Sequence, residues 1–332
     1  MAHARRSQPS DETNPNGRPC IRSLEQLATF PPQEDGDDRR YLRLEMDWTE
    51  WFYWMEAMGR VQICATNGWG VYSDQRPFSG WLRVPGQPHW IDPETGSEFH
   101  ADQMGDIAVV EQSCATGFSL SCRVRHREGH EMLKLYLTHH SNLGMFEDMI
   151  SQTAVPGKLR EPNPATLPGP VKTPDVKALW RMWRGACRTM PTEQYAGLEP
   201  FARWNALSMV GEEFARPVAV GNLGGFFDQL AQARCGLQVT LYHPDHQTTV
   251  PLRLSQASGC SRWWHLFDGE TKCHLQKDSG LRAWAVTEEP GTFNVDWIEI
   301  YHRPSRRLLA WLRPQEDPTD RVRWRRVAAG LL

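Results

Sequence analysis

No stretch of this 332-residue sequence approaches the 18 or more apolar residues that a membrane-spanning helix needs. The amino-terminal MAHARRSQPSDETNPNGRPC starts basic but has no apolar segment behind it, so it does not read as a secretion signal. Excess positive charge is missing as well. Thirty-seven Lys and Arg stand against 40 Asp and Glu, for a net charge of −3, which argues against a phosphate-binding surface and so against a nucleic-acid partner. The eight cysteines are scattered without a C-x-x-C pair. With no signal, reduced thiols in a cytoplasm are expected. Cys64, Cys122 and Cys187 lie in apolar-patterned segments and are expected as packed thiols.

Motifs of catalysis are scarce too. HExxH and Gly-x-Ser-x-Gly are absent, and no pair of carboxylates is placed for acid–base work. GNLGG (Gly221 to Gly225) is not G-x-G-x-x-G. The amphipathic run after it, with Phe226, Phe227 and Leu230, makes it a loop and helix start. His243 and His246 in YHPDHQ are spaced to share a metal, yet no third His or Cys follows at ligand spacing, so an exposed hairpin turn is expected. His139 and His140 read as an exposed strand end, and RVRWRR (Arg321 to Arg326) as a solvated helix face.

What the chain does have is tryptophan, 15 of them, within a 40% hydrophobic composition that supports a core of normal size. Bulky cores and flat aromatic-lined cavities both use such residues. The first 22 residues are polar and read as a mobile tail. Six prolines between Pro156 and Pro174 read as a semi-rigid connector, which divides the chain into residues 23–155 and 175–332.

These halves look alike. DIAVVEQ (Asp106 to Gln112), FSLSCRVRH and MLKLYL, ending at Leu137, correspond to RAWAVTEE (Arg282 to Glu289), VDWIEIYH and RLLAWL, ending at Leu312. Cys122, Val124 and His126 match Ile298, Ile300 and His302 with period 2, which means antiparallel strands. GRVQI around Arg60 resembles ARWNA around Arg203. Thr173-Pro174 is a helix start for the stripe Val176, Trp180, Trp183, Cys187, Met190. Leu44, Trp48, Trp51, Met55, Met58 has the same spacing. Ser141 is expected to cap a helix carrying Leu143, Phe146 and Ile150, and a last helix carries Val322, Trp324 and Val327. The fold class is α+β: a tandem repeat, each half a large antiparallel sheet flanked by helices.

Several segments together resemble one family. WWHLFDGETKCHLQKDSGLRAWAV (Trp263 to Val286), WIEIYHRPSRRLLAWLR with WRRV (Trp324 to Val327), GEEFARPVA (Gly211 to Ala219) and RHREGHEMLKLYLTHHSNLGMFEDMI (Arg125 to Ile150) are similar, in order, to HemS/ChuX-type haem-utilisation proteins. The similarity covers roughly residues 40 to 330. It implies a cytoplasmic protein that binds haem between two stacked halves and passes it on or helps degrade it. Its partners would be haem-uptake or haem-degrading proteins, and a homodimer is compatible with it.

The resemblance also assigns site residues. The family's axial His falls on Met190 or within a residue or two of it, and Met190 either continues an apolar stripe or contacts haem iron. Its distal Arg falls near Ala108, and its Arg-Lys pair on Thr287-Glu288. Arg203 and Arg313 match family arginines, and His274 keeps the family's His-Leu. Arg60 and Arg203 are either strand-end surface charges or propionate partners. The implied function is haem binding and trafficking with altered iron coordination. The alternative is a scaffold that kept the fold and lost the cofactor, and a ring-opening enzyme fits the lost ligands least.

Overall fold

The computed structural model describes residues 33–34, 39–114, 117–160, 200–243, 246–287 and 294–332. The expected tail, most of the proline-rich connector, Cys187, Glu288, and Met190 with the helix expected to carry it lie outside these residues.

In chain order the first stretch comprises β1 (Gln33–Glu34), β2 (Arg39–Leu44), helix α1 (Trp48–Ala57), β3 (Gly59–Thr66), β4 (Gly70–Pro77), β5 (Leu82–Arg83) and β6 (His89–Asp92). It continues through β7 (Ser97–His100), β8 (Met104–Cys114), β9 (Gly117–His126), β10 (Glu131–Ser141), α2 (Leu143–Thr153) and β11 (Ala154–Val155). The second stretch comprises α3 (Pro200–Met209), β12 (Ala215–Val218), α4 (Leu223–Gln232), β13 (Gly236–His243), β14 (His246–Arg253) and β15 (Gln256–Gly259). It closes with β16 (Trp263–Asp268), β17 (Thr271–Gln276), β18 (Leu281–Val286), β19 (Trp297–His302), β20 (Arg307–Pro314) and α5 (Pro318–Ala328). No helix among the described residues is long and apolar enough to cross a membrane.

The protein is α+β, with two large antiparallel sheets. One runs β1-β2-β8-β9-β10-β3-β4-β17-β16-β15, with β11 beside β2. The other runs β12-β18-β19-β20-β13-β14-β7-β6-β5. The matched strands fall where their alternation placed them: Cys122 pairs with Val109 and Leu135, and Ile298 with Ala285 and Leu312. The sheets do not divide between the halves, however. Strands β15 to β17 extend the first sheet through Cys273 opposite Tyr72, and β5 to β7 extend the second through His246 opposite Phe99. Strand periodicity names a buried face but not a neighbour. Here each sheet edge, β4 or β14, is paired with a three-stranded meander from the other half, where a bare ladder would invite aggregation.

One core fills the space between the sheets. Leu42, Val61 and Leu135 of the first belong to the same apolar cluster as Leu237, Leu241 and Leu312 of the second. Gly70 marks a close approach, because a Cβ there would lie 2.7 Å from Leu241 Cδ2. Helix α1 begins where Asp47 accepts the Glu50 amide, an N-cap that satisfies one of the orphan donors of the first turn. It is shorter than the expected stripe, since Leu44 still belongs to β2. Its Trp51 is fully buried, and its Phe52 stacks on Trp90 at 4.0 Å between centroids, fastening the exchanged meander. Asn142, rather than Ser141, caps α2. GNLGG leads into α4, whose Phe226, Phe227 and Leu230 are buried. Cys122 is buried, while Cys64 is half-buried; burial pushes the Cys122 thiol up to about 12.

Candidate functional site

The outer face of the second sheet, away from the shared core, carries a second apolar cluster. Alternation along WIEIYH turns Ile298 and Ile300 inward and sends Trp297, Glu299 and Tyr301 outward. Helix α3 packs on this face through Ala206, Leu207 and Val210. It brings in Arg203, 2% exposed, whose Nη2 donates to Glu299 Oε1 at 2.8 Å. Trp297 Nε1 donates to the same oxygen at 2.9 Å, and the Tyr301 hydroxyl to Oε2 at 2.5 Å. A fully buried carboxylate therefore has one cation and two neutral donors, which is what makes its burial tolerable.

Beside this network lies a pocket of about 190 Å³ whose walls include Trp297, Trp311, Arg313, Arg321, Trp324 and Arg325 together with the acidic Asp296 and Glu316, Asp296 being paired with Arg325 at 2.9 Å. The guanidinium carbons of Arg203 and Arg313 sit 5.0 and 5.4 Å from the Trp311 ring centre, within cation–π range. Arg313 Nε also donates to Gln238 Oε1. Burial pulls the Arg313 pKa down, Glu316 partly opposes this, and Arg321 adds to the depression. The buried indole N–H of Trp311 has no hydrogen-bond partner. Such an orphan donor is costly; it is closed off from solvent, so an anionic oxygen would reach it only after the side chains around it shift.

Arg203 and Arg313 are thus brought together on Trp311. Arg203 is neither at a strand end nor the counterpart of Arg60, because it lies on a helix while Arg60 lies on β3. The strand order instead puts Gly236–His243 where the first sheet has Gly59–Thr66. Arg60 and His274 belong to the first sheet. Arg60 is half exposed and pairs with Glu270 at 3.2 Å, a surface contact of little energetic weight. His274 lies opposite Val71 and His265, sharing a 2.8 Å hydrogen bond between the two Nδ1 atoms. Burial, then His265 and Lys272, pull its pKa down. Sequence reasoning missed Glu299, Trp297 and Trp311. Their only signal was the polar and aromatic face of WIEIYH and LLAWLR.

A planar, dicarboxylate macrocycle would find part of what it needs here. Arginines and an unpartnered indole donor suit carboxylates, and tryptophan walls suit an apolar rim. The pocket accommodates an edge, not a whole ring, since sites that enclose such ligands run to ~300–1,000 Å³. No His, Met, Cys or Tyr lines it among the described residues, so an iron ligand would have to come from elsewhere.

Neither a scan against protein-family models nor a search of curated proteins finds a match. Solved structures do match. The heme oxygenase ChuS of E. coli is 16% identical, with a TM-score of 0.71 over 88% of this chain and 89% of that one. Holo-PhuS, a heme-binding protein from Pseudomonas aeruginosa, is 19% identical, with a TM-score of 0.74 over 90% of this chain and 88% of that one. At such identity the likeness is one of architecture: this chain has the fold of ChuS and PhuS, the fold implied by its resemblance to the HemS/ChuX-type proteins.

Proposed function

We propose that this chain is a divergent HemS/ChuX-type protein that binds haem reversibly and passes it on in the cytoplasm, in support of haem-iron use. The observation that carries the reading is Trp311, with its orphaned indole N–H, flanked by Arg203 and Arg313 in a fold shared with haem-binding structures. In this reading Arg313 and Arg321 hold the propionate edge by charge-assisted hydrogen bonds. Arg203 supports Trp311 from behind, and Met190 stands in the place of the axial His as a softer iron donor. His274 and Arg60 are secondary contacts. Residues 23–155 and 175–332 are read as tandem repeats about the 156–174 connector. The partners are haem-uptake or haem-degrading proteins.

The test is a haemin titration followed in the Soret region. Weak, reversible binding is expected. Arg313→Ala should weaken it by roughly tenfold, as for loss of a hydrogen bond to a charged group. Met190→His should strengthen it and sharpen the band. A second reading, a scaffold that lost haem, draws on the neutralisation of Arg203 by Glu299. Absence of binding in both wild type and Met190→His would establish that reading instead.

A further inference from the structure

His243 and His246 are not on an exposed turn. They are 9% and 3% exposed, and the β9–β10 hairpin of the first sheet brings His126 and His130 against His243. Ring centroids are 4.4 Å apart for His126 and His130, 4.8 Å for His130 and His243, and 4.6 Å for His243 and His246. His126 and His243 are 5.7 Å apart. Imidazoles that share one ion, each with nitrogen about 2.0–2.1 Å from it, have centroids on the order of 5 Å apart. Donor atoms of His126, Glu128 and His130 already lie within 4.8 Å of one another; those of His243 and His246 lie outside that group, and the rings stack in pairs at 20° and 22°, so closing all four on one ion requires the imidazoles to rotate.

We propose that these four histidines form a binding site for one divalent transition-metal ion of the zinc class, held between hairpins of the two sheets. The protonation pattern supports this. The Thr66 carbonyl can only accept, so at 3.2 Å from His246 Nε2 it fixes the proton on that nitrogen. His246 Nδ1 is then a bare lone pair, buried and without a hydrogen-bond partner. A backbone carbonyl that holds the far N–H is the usual orienting partner of a metal-bound imidazole. His126 is set the other way: its Nδ1 accepts the Glu128 amide N–H at 3.1 Å, which occupies that lone pair and leaves the proton of the neutral ring on Nε2, so His126 ligates only by giving up this hydrogen bond. Gly129, at φ 91°, makes the turn that returns His130 to the cluster. Imidazole donors suit Zn²⁺, Cu²⁺ or Ni²⁺ and not Mg²⁺ or Ca²⁺. Arg307 acts electrostatically on His243 and His246 and opposes a cation. The partly exposed Glu128 carboxylate, 3.9 Å from His126 Nδ1, offsets that charge. Since the ligands come from both sheets, a bound ion would tie one sheet to the other.

The experiment uses tag-free, chelator-treated full-length protein. Co²⁺ titration should give the intense visible bands of a tetrahedral site, saturating at one ion per chain and displaced by Zn²⁺ but not by Mg²⁺. His243→Gln and His246→Gln should each weaken Zn²⁺ binding by roughly tenfold or more. His139→Gln, on the exposed strand end, should leave it unchanged. X-ray absorption of Zn²⁺-loaded wild type should show at least three imidazole ligands, a readout that does not depend on any variant folding. The proposal is overturned if wild type takes up no stoichiometric ion, if the ligand shell contains sulfur or oxygen alone, or if folded His243→Gln and His246→Gln bind as wild type does.

Discussion

Replacing Glu299 with leucine removes the acceptor shared by Arg203, Trp297 and Tyr301. Arg203 is 2% exposed, so its charge would lose a 2.8 Å carboxylate partner with almost no water to replace it. Removing one partner of a buried pair typically costs about 3–5 kcal/mol. The loss of an acceptor for the Trp297 indole and the Tyr301 hydroxyl adds to this, by about 1 kcal/mol for each group. A loss of about 5–7 kcal/mol, on the order of 10⁴–10⁵ in the folding equilibrium, is therefore expected at neutral pH. Urea unfolding followed by tryptophan fluorescence measures it. The double variant Arg203→Met, Glu299→Leu should recover most of the loss, since apolar replacement of a whole buried pair is often neutral. A loss below about 1 kcal/mol in the single variant, or a double variant no more stable than the single, would refute the account of this network.

Trp51→Ala should cost about 3–5 kcal/mol in the same assay, because the ring is fully buried between α1 and β9 and its Nε1 approaches Cys122 Sγ at 3.5 Å. Gly70→Ala should cost about 1–3 kcal/mol by overpacking Leu241 and Leu275; an unchanged midpoint would mean the sheets are not held this close. Glu131 shows a pH effect. Burial would raise its pKa, but Lys134 and Arg123 overcome that and hold it at about 2. Its stabilisation is therefore complete above the ordinary carboxylate range and lost as pH falls toward 2. Glu131→Gln should flatten the stability profile below about pH 4.5. A thiol reagent near pH 7.5 should modify Cys260 first among the described cysteines, read by peptide mass spectrometry. It is exposed, and the Arg262 backbone amide lowers its pKa, while burial pushes Cys122 and Cys273 up to about 12.

The α+β class, the β8–β9–β10 and β18–β19–β20 units and the buried faces of α1 and α4 follow from local chemistry. A period of 2, a period of 3.6 and a capping Asp47 each act within a few residues, so they are legible in sequence. Only the tertiary structure decided which edges meet. The LRAWAV strand pairs within its own half, but Thr271–Gln276 crosses to β4 and Ser97–His100 to β14. Pairing partners are chosen by whichever edge lies open, and no spacing records that choice. The same holds for the sites. His243 and His246 lacked a third ligand along the chain because His126 and His130 reach them through space, and Arg203 found Glu299 across 96 residues. An alternating strand declares which side chains face inward and which face outward. What they meet there depends on the packing of distant elements, and short-range sequence pattern does not encode it.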